Sequence, residues 1–273
     1  QAGQLTSTAV SGLSSAQIAA LETADLAKLS TDAIQAISTA ALAGLNAATQ
    51  VGKLTTAQVS ALSTAQVNAL STAQVAAMST EQVSKLSSDQ VSAMTTAQIT
   101  AIEVADVAAL TTSALSAVTT TQAAKLTTAQ IVALTTGQAA ALSTDVLSAL
   151  SSTQVAAFQT ADLVQVGTDA LASLSTAALA GLSTAQVAKL TTAQVANLTT
   201  DQVMALSTAN VSALTTAQVS NLTSDQLAVL TTGQVKGLTS AQVVALGTDQ
   251  VNKLSTDQIS VMTSTQVKAM ETA

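Results

Sequence analysis

The chain has 273 residues and a formal charge of −7, and it contains no Cys, His, Pro, Trp, Tyr or Arg; Phe158 is its only aromatic residue. Charged residues make up 8%, about a third of the usual share, and the basic ones are Lys scattered singly, so no patch exists to meet the phosphates of a nucleic acid. The apolar content argues against disorder. Hydroxyl residues and Gln interrupt every apolar run long before the roughly 18 residues that a membrane span needs.

In chain order, the first pattern is a run of five octads, Leu5–Gly44. A nine-residue unit, Leu45–Lys53, follows and shifts the register once. From Leu54 to Ala269 the octad then holds without insertion, 216 residues or 27 units. Leu54–Ala61 reads LTTAQVSA and Leu62–Ala69 reads LSTAQVNA, so the consensus is L-[S/T]-T-x-Q-V-x-A. We read 1–273 as one continuous octad array, and expect it to be a segment of a longer one. The chain starts at Gln1 with no basic–apolar–small signal segment.

Each octad carries a helix-start signal. Ser or Thr at position 2 and Gln at position 5 form a capping box: the hydroxyl accepts from the N3 amide while Gln reaches back to the N-cap amide. The apolar residues at positions 1 and 6, such as Leu62 and Val67, are the accompanying hydrophobic staple. Acids at position 4, as in Asp89, Asp201, Asp225, Asp249 and Asp257, lie in the first turn, where the helix dipole favours them. One long helix is excluded by phase, because eight residues drift by about 80° per repeat. The pattern therefore predicts an all-α solenoid of very short capped helices, one per octad. Each is too short to stand alone and is held by burying positions 1 and 6 against neighbouring units. Small residues at position 8 are expected to let backbones approach. The alternative is a β-solenoid, for which Val, Ile and Thr are suited and Gln could stack in ladders. Scarce Gly, few Asn and no Pro count against its corners, and abundant Ala favours helix.

Some octads lose Gln in blocks. Glu22–Leu26 leads to Thr31–Ile34 and then to STAALAGL at Ser38–Leu45. The same order returns at Gln159–Leu163, Thr168–Leu171 and Ser175–Leu182, more weakly at Glu103–Val107, and Glu271–Ala273 could open another. Copying of whole blocks explains these echoes. A modified contact face at 22–45 and 159–182 is the second reading. In the nine-residue unit, Asn46-Ala47 replaces the hydroxyl pair, so a local irregularity is expected there.

No catalytic constellation is found. Without His or Cys there is no tuned base for a nucleophile. The pairs Glu22/Asp25 and Glu103/Asp106 read as replacements of the N-cap hydroxyl and the N3 Gln, rather than as general acid and base. Acids are too dispersed for a calcium cage. Phe158, at position 1, is a substituted core leucine. We expect no catalytic, metal or cofactor-binding residue, no cofactor and no enzymatic activity.

The L-[S/T]-x-x-Q stretch, as in Leu190–Gln194, resembles the LTxxQ motif of a family of bacterial periplasmic stress proteins, small helical chaperones that carry it a couple of times. In style the array is similar to the low-complexity repeat regions of large bacterial surface and secreted proteins. That resemblance implies an extracellular or cell-surface structural or adhesive role. The expectation is a self-assembling filament or stalk protein whose partner is itself, head to tail and laterally, with no nucleic acid and no membrane insertion. Ragged ends and weak surface charge point the same way. The alternative is a solenoid binding module, an adhesin or a glycan or ice binder, for which the ranks of Thr at position 3 are the motive. O-glycosylation of the same hydroxyls is a further possibility.

Overall fold

A computed structural model describes residues 4–270. Among the described residues there are 32 α-helical segments of four to seven residues and no strand, which decides between the two expected solenoids in favour of the helical one. The chain comprises two compact units, Gln1–Ala141 and Leu142–Ala273. Within each, helices pack on those three octads away. In the first unit the helix Thr64–Ala69 packs on Ser88–Ala93, which packs on Thr112–Ser116. In the second, the helices Thr184–Lys189, Thr208–Ala213 and Thr232–Gly237 stack in the same way.

The local reason for the short helices is the one read from the octad. In Leu62–Ala69, Ser63 accepts from the Gln66 N–H at 3.2 Å and the Gln66 Oε1 accepts from the Ser63 N–H at 2.8 Å. The helix then ends within two turns. Leu70 at its C-cap is extended (φ −62°, ψ 141°), and Ser71, the next N-cap, is extended too (φ −71°, ψ 160°). Two extended residues make the whole corner. Among the described residues no φ is positive, not even at Gly, which is why more than thirty corners need neither a glycine nor a proline.

Burial follows position. Leu62, Gln66 and Val67 are buried, while Ser63, Thr64, Ala65 and Asn68 are exposed. The two apolar positions are covered from opposite directions. Where no described turn follows, position 6 opens: Ile259 is 42% exposed and Val267 43%. In the first turn Val10 and Ile18 at the same position are fully buried, whereas Leu5 and Leu13 at position 1 are only half-buried. Position 6 is thus sealed by the turn that follows. Phe158 is buried as a replacement for leucine.

The close approach expected at position 8 is present at particular glycines. A Cβ on Gly181 would lie 2.5 Å from the Ser152 carbonyl oxygen, and one on Gly44 would collide with the Ser15 carbonyl in the same way. Both glycines are the seventh residue of a STAALAGL block, so the two echoes share a packing role. At Gly137, in position 4 of its octad, a Cβ would meet nothing within 4 Å. Gly181→Ala is therefore expected to force the backbone apart and lower the urea midpoint clearly. Gly137→Ala, in the helix Thr136–Ala140, should instead stabilise by roughly 0.5–1 kcal/mol. Equal effects of the two substitutions in urea titrations would refute this account.

Candidate functional site

The feature that repeats with the octad and joins its turns is the buried Gln at position 5. In the octad Leu214–Asn221, the Thr215 Oγ1 accepts from the Gln218 N–H at 3.1 Å and the Gln218 Oε1 accepts from the Thr215 N–H at 2.7 Å. The remaining hand of the amide does something else. Gln218 Nε2 donates to the carbonyls of Val187 at 2.9 Å and Leu190 at 2.6 Å. These are position 6 of one upstream octad and position 1 of the next. Gln90, Gln226, Gln242 and Gln258 repeat the same two bonds at the same offsets of 31 and 28 residues. One turn of the solenoid therefore contains between three and four octads. A parallel outer line runs the other way: Asn68, Ser116 and Ser212 at position 7 donate to the carbonyls of Ala93, Ala141 and Gly237, each 25 residues on.

Side-chain length is tuned to the ladder. Asn210, at position 5 of its octad, reaches one carbonyl, that of Leu182, at 3.0 Å, and forms only the hydroxyl half of the box with Ser207. The nine-residue unit keeps its rungs. Asn46 Oδ1 accepts from the Thr49 N–H, Gln50 Oε1 accepts from the Asn46 N–H, and a short 3-10 turn, Val51–Lys53, replaces the α-helix. Gln50 Nε2 still donates to the carbonyls of Ile18 and Leu21.

The carboxylate pairs lie where they were expected, at N-cap and N3, but with one correction. Neither Glu22 nor Glu103 makes a side-chain capping bond, because the Glu chain is too long to fold back onto its own third amide as a hydroxyl does. Asp25 meets Lys28 at 3.4 Å on the surface. Asp106 is buried and accepts from the Thr80 hydroxyl, a position-3 group, at 2.5 Å. Among the described residues no three Asp or Glu side chains converge as a metal site. Two concavities, of about 370 and 420 Å3, are lined chiefly by residues such as Val243, Leu246 and Met270, and by Thr176, Asp201 and Met204. Neither gathers an acid and a base. The variant ends at Glu271–Ala273 lie outside the described residues.

These features set the unit to be compared. The six letters A-L-T-T-A-Q are position 8 followed by positions 1 to 5. The family model for the ALTTAQ repeat matches residues 18–56, 48–80, 72–102 and 99–136, and again 155–192, 164–200, 179–208, 195–232 and 224–256. The chain belongs to the ALTTAQ repeat family. No curated protein matches it. Among solved structures, the leucine-rich repeat-containing protein LegL7 from Legionella pneumophila is similar over 94% of this chain and 89% of that one, at 13% identity and a TM-score of 0.23. No helix among the described residues is long and apolar enough to cross a membrane.

Two substitutions test the chemistry of position 5. Gln218→Leu keeps an apolar side chain in place but removes the rung, the reach-back to Thr215 and both donations. It should lower stability in urea by about 1–3 kcal/mol per unsatisfied buried group, with helicity retained by circular dichroism; no loss would mean that the ladder is incidental. Asp162 is the second case. It is buried at position 5 with Oδ2 unpartnered, and burial pushes its carboxyl above the ordinary 3.8. The folded chain therefore holds this proton more tightly than the unfolded one. Its contribution is full below the unfolded value and is lost as pH rises through the folded one. Asp162→Asn should raise the urea midpoint at neutral pH, and the gain should shrink toward pH ~4, near the unfolded carboxylate value. A gain independent of pH would contradict this assignment.

Proposed function

We propose that the protein is a non-enzymatic, self-assembling structural component of an extracellular or cell-surface filament or stalk, with other copies of itself as its partner. One observation carries the reading. Every regular turn presents Gln Nε2 donors toward the turn before it, and backbone carbonyls with the position-6 apolar side chains toward the turn after it. A surface built this way is complementary to its own opposite face. It is satisfied by a further turn of the same pattern, whichever copy supplies that turn. Contacts of this head-to-tail kind, related by a screw, continue into filaments rather than closing. Weak charge on the outer positions removes a barrier to side-by-side packing.

A binding module is the second reading, and the exposed hydroxyls at positions 2 and 3 favour it, as in Ser63 and Thr64. Against it, most position-2 hydroxyls serve as helix caps, and Thr80 at position 3 is taken up by Asp106.

Electron microscopy and sedimentation across a dilution series separate the two. Uniform fibres that persist on dilution are expected. Short rods at every concentration, together with ice shaping or retention on a glycan array, would replace the filament with the binding module.

A further inference from the structure

Three Asn-x-Ser/Thr triplets occur in the second unit: Asn197-Leu198-Thr199, Asn210-Val211-Ser212 and Asn221-Leu222-Thr223. This triplet is the acceptor pattern for N-linked sugars, and it works only where the Asn amide is accessible. The fold sorts the three sharply. Asn210 is buried at position 5, and its amide is a rung of the ladder, donating to the Leu182 carbonyl. Asn197 and Asn221 are exposed at position 8, at the C-caps of the helices Thr192–Ala196 and Thr216–Ser220. Those two helices pack on each other as successive turns, so the two amides sit one above the other on a single column of the surface.

The flanking residues of the exposed pair are also arranged for transfer. Leu198 and Leu222 are buried and anchor the middle of each triplet. Thr199 and Thr223 are exposed N-caps. Each hydroxyl oxygen accepts from an amide N–H, that of Gln202 or Gln226, at 3.1 Å, a bond that does not use the hydroxyl's own proton. The Asn amides themselves hold only surface bonds. Asn197 Nδ2 donates to Asp169 Oδ1 at 3.2 Å, and Asn221 Nδ2 donates to the Ala217 carbonyl at 2.8 Å. Releasing them exposes no core.

We propose that Asn197 and Asn221 are acceptor sites for N-linked glycosylation and that Asn210 is not. In the transfer, Asn Nδ2 bonds to the anomeric carbon of an activated sugar. The bond from that carbon to the diphosphate oxygen breaks, the diphosphate leaves with the electron pair, and the amide proton passes to a base of the transferase. The donor is a diphosphate-activated sugar, either a nucleotide sugar or a lipid-linked oligosaccharide. The proposal rests on the extracellular reading only for where the donor is met.

The test has two arms, one for each donor. In one, the folded, unmodified chain of residues 1–273 is incubated with a soluble N-glycosyltransferase and a nucleoside-diphosphate hexose. In the other, the chain is expressed through a secretory pathway that uses lipid-linked oligosaccharide. Intact mass and peptide mapping then locate the sugar. Sugar on Asn197 and Asn221 in at least one arm, with Asn210 bare, is expected, and the arm that succeeds identifies the donor. The Asn197→Gln/Asn221→Gln double variant should lose all of it while its circular dichroism stays helical. Asn210→Gln, which restores the family residue, should leave occupancy unchanged. Sugar on neither exposed Asn in both arms, or equal occupancy of Asn210 in the folded chain, would overturn the proposal. Filament formation by the unmodified chain is read separately, so failure here is distinct from failure of the structural reading.

Discussion

The solenoid depends on one side chain that is bonded at both ends of its amide. The oxygen of Gln closes the capping box of its own helix, and the nitrogen binds the carbonyls of the turn before it. Local start and long-range stacking are thereby decided by the same group. An octad that forms its helix correctly has, by that act, aimed its donor at the previous turn. The apolar residues contribute most of the burial, but burial is not directional. The amide supplies the register, because a buried donor left without an acceptor costs more than the bond contributes. Short helices that could not survive alone become stable as members of a stack.

The nine-residue unit shows how strongly the register is held. Rungs whose loop spans the extra residue have offsets of 32 and 29, as at Gln58 and Gln66. From Gln82 onward the offsets return to 31 and 28. The additional residue is absorbed where it occurs, in the 3-10 turn, and the stack above it does not slip. The STAALAGL blocks use the opposite device. There Ala41 and Ala178 replace Gln, and Gly44 and Gly181 let the backbones touch.

Much of this was legible in the octad. The Ser/Thr and Gln spacing gave the helix starts, and the phase excluded one long helix. Positions 1 and 6 were recognisable as core, Phe158 included. The second role of Gln was hidden, since its acceptors are backbone atoms about four octads upstream, which no local pattern marks. One signal was available. Glu serves a capping box as well as Gln does, yet position 5 is Gln in most octads and Glu in none, and Gln is the residue that can also donate. The corner geometry was hidden for a different reason. Turns are normally announced by Gly, Pro or Asn, whereas here two ordinary extended residues suffice. The failure of Glu22 and Glu103 to cap is visible only once side-chain reach is measured.

The direction of the rungs has a mechanical consequence. They connect each turn to the one before it, so tension applied to the chain does not load them all together. It peels the stack from an end, a turn at a time. Each release frees about 28 residues, the ladder offset, or roughly 90–100 Å of extended chain. A unit built in this way would yield in steps, dissipating work at each one and winding back when slack returns. It would act as a spring that gives way one turn at a time.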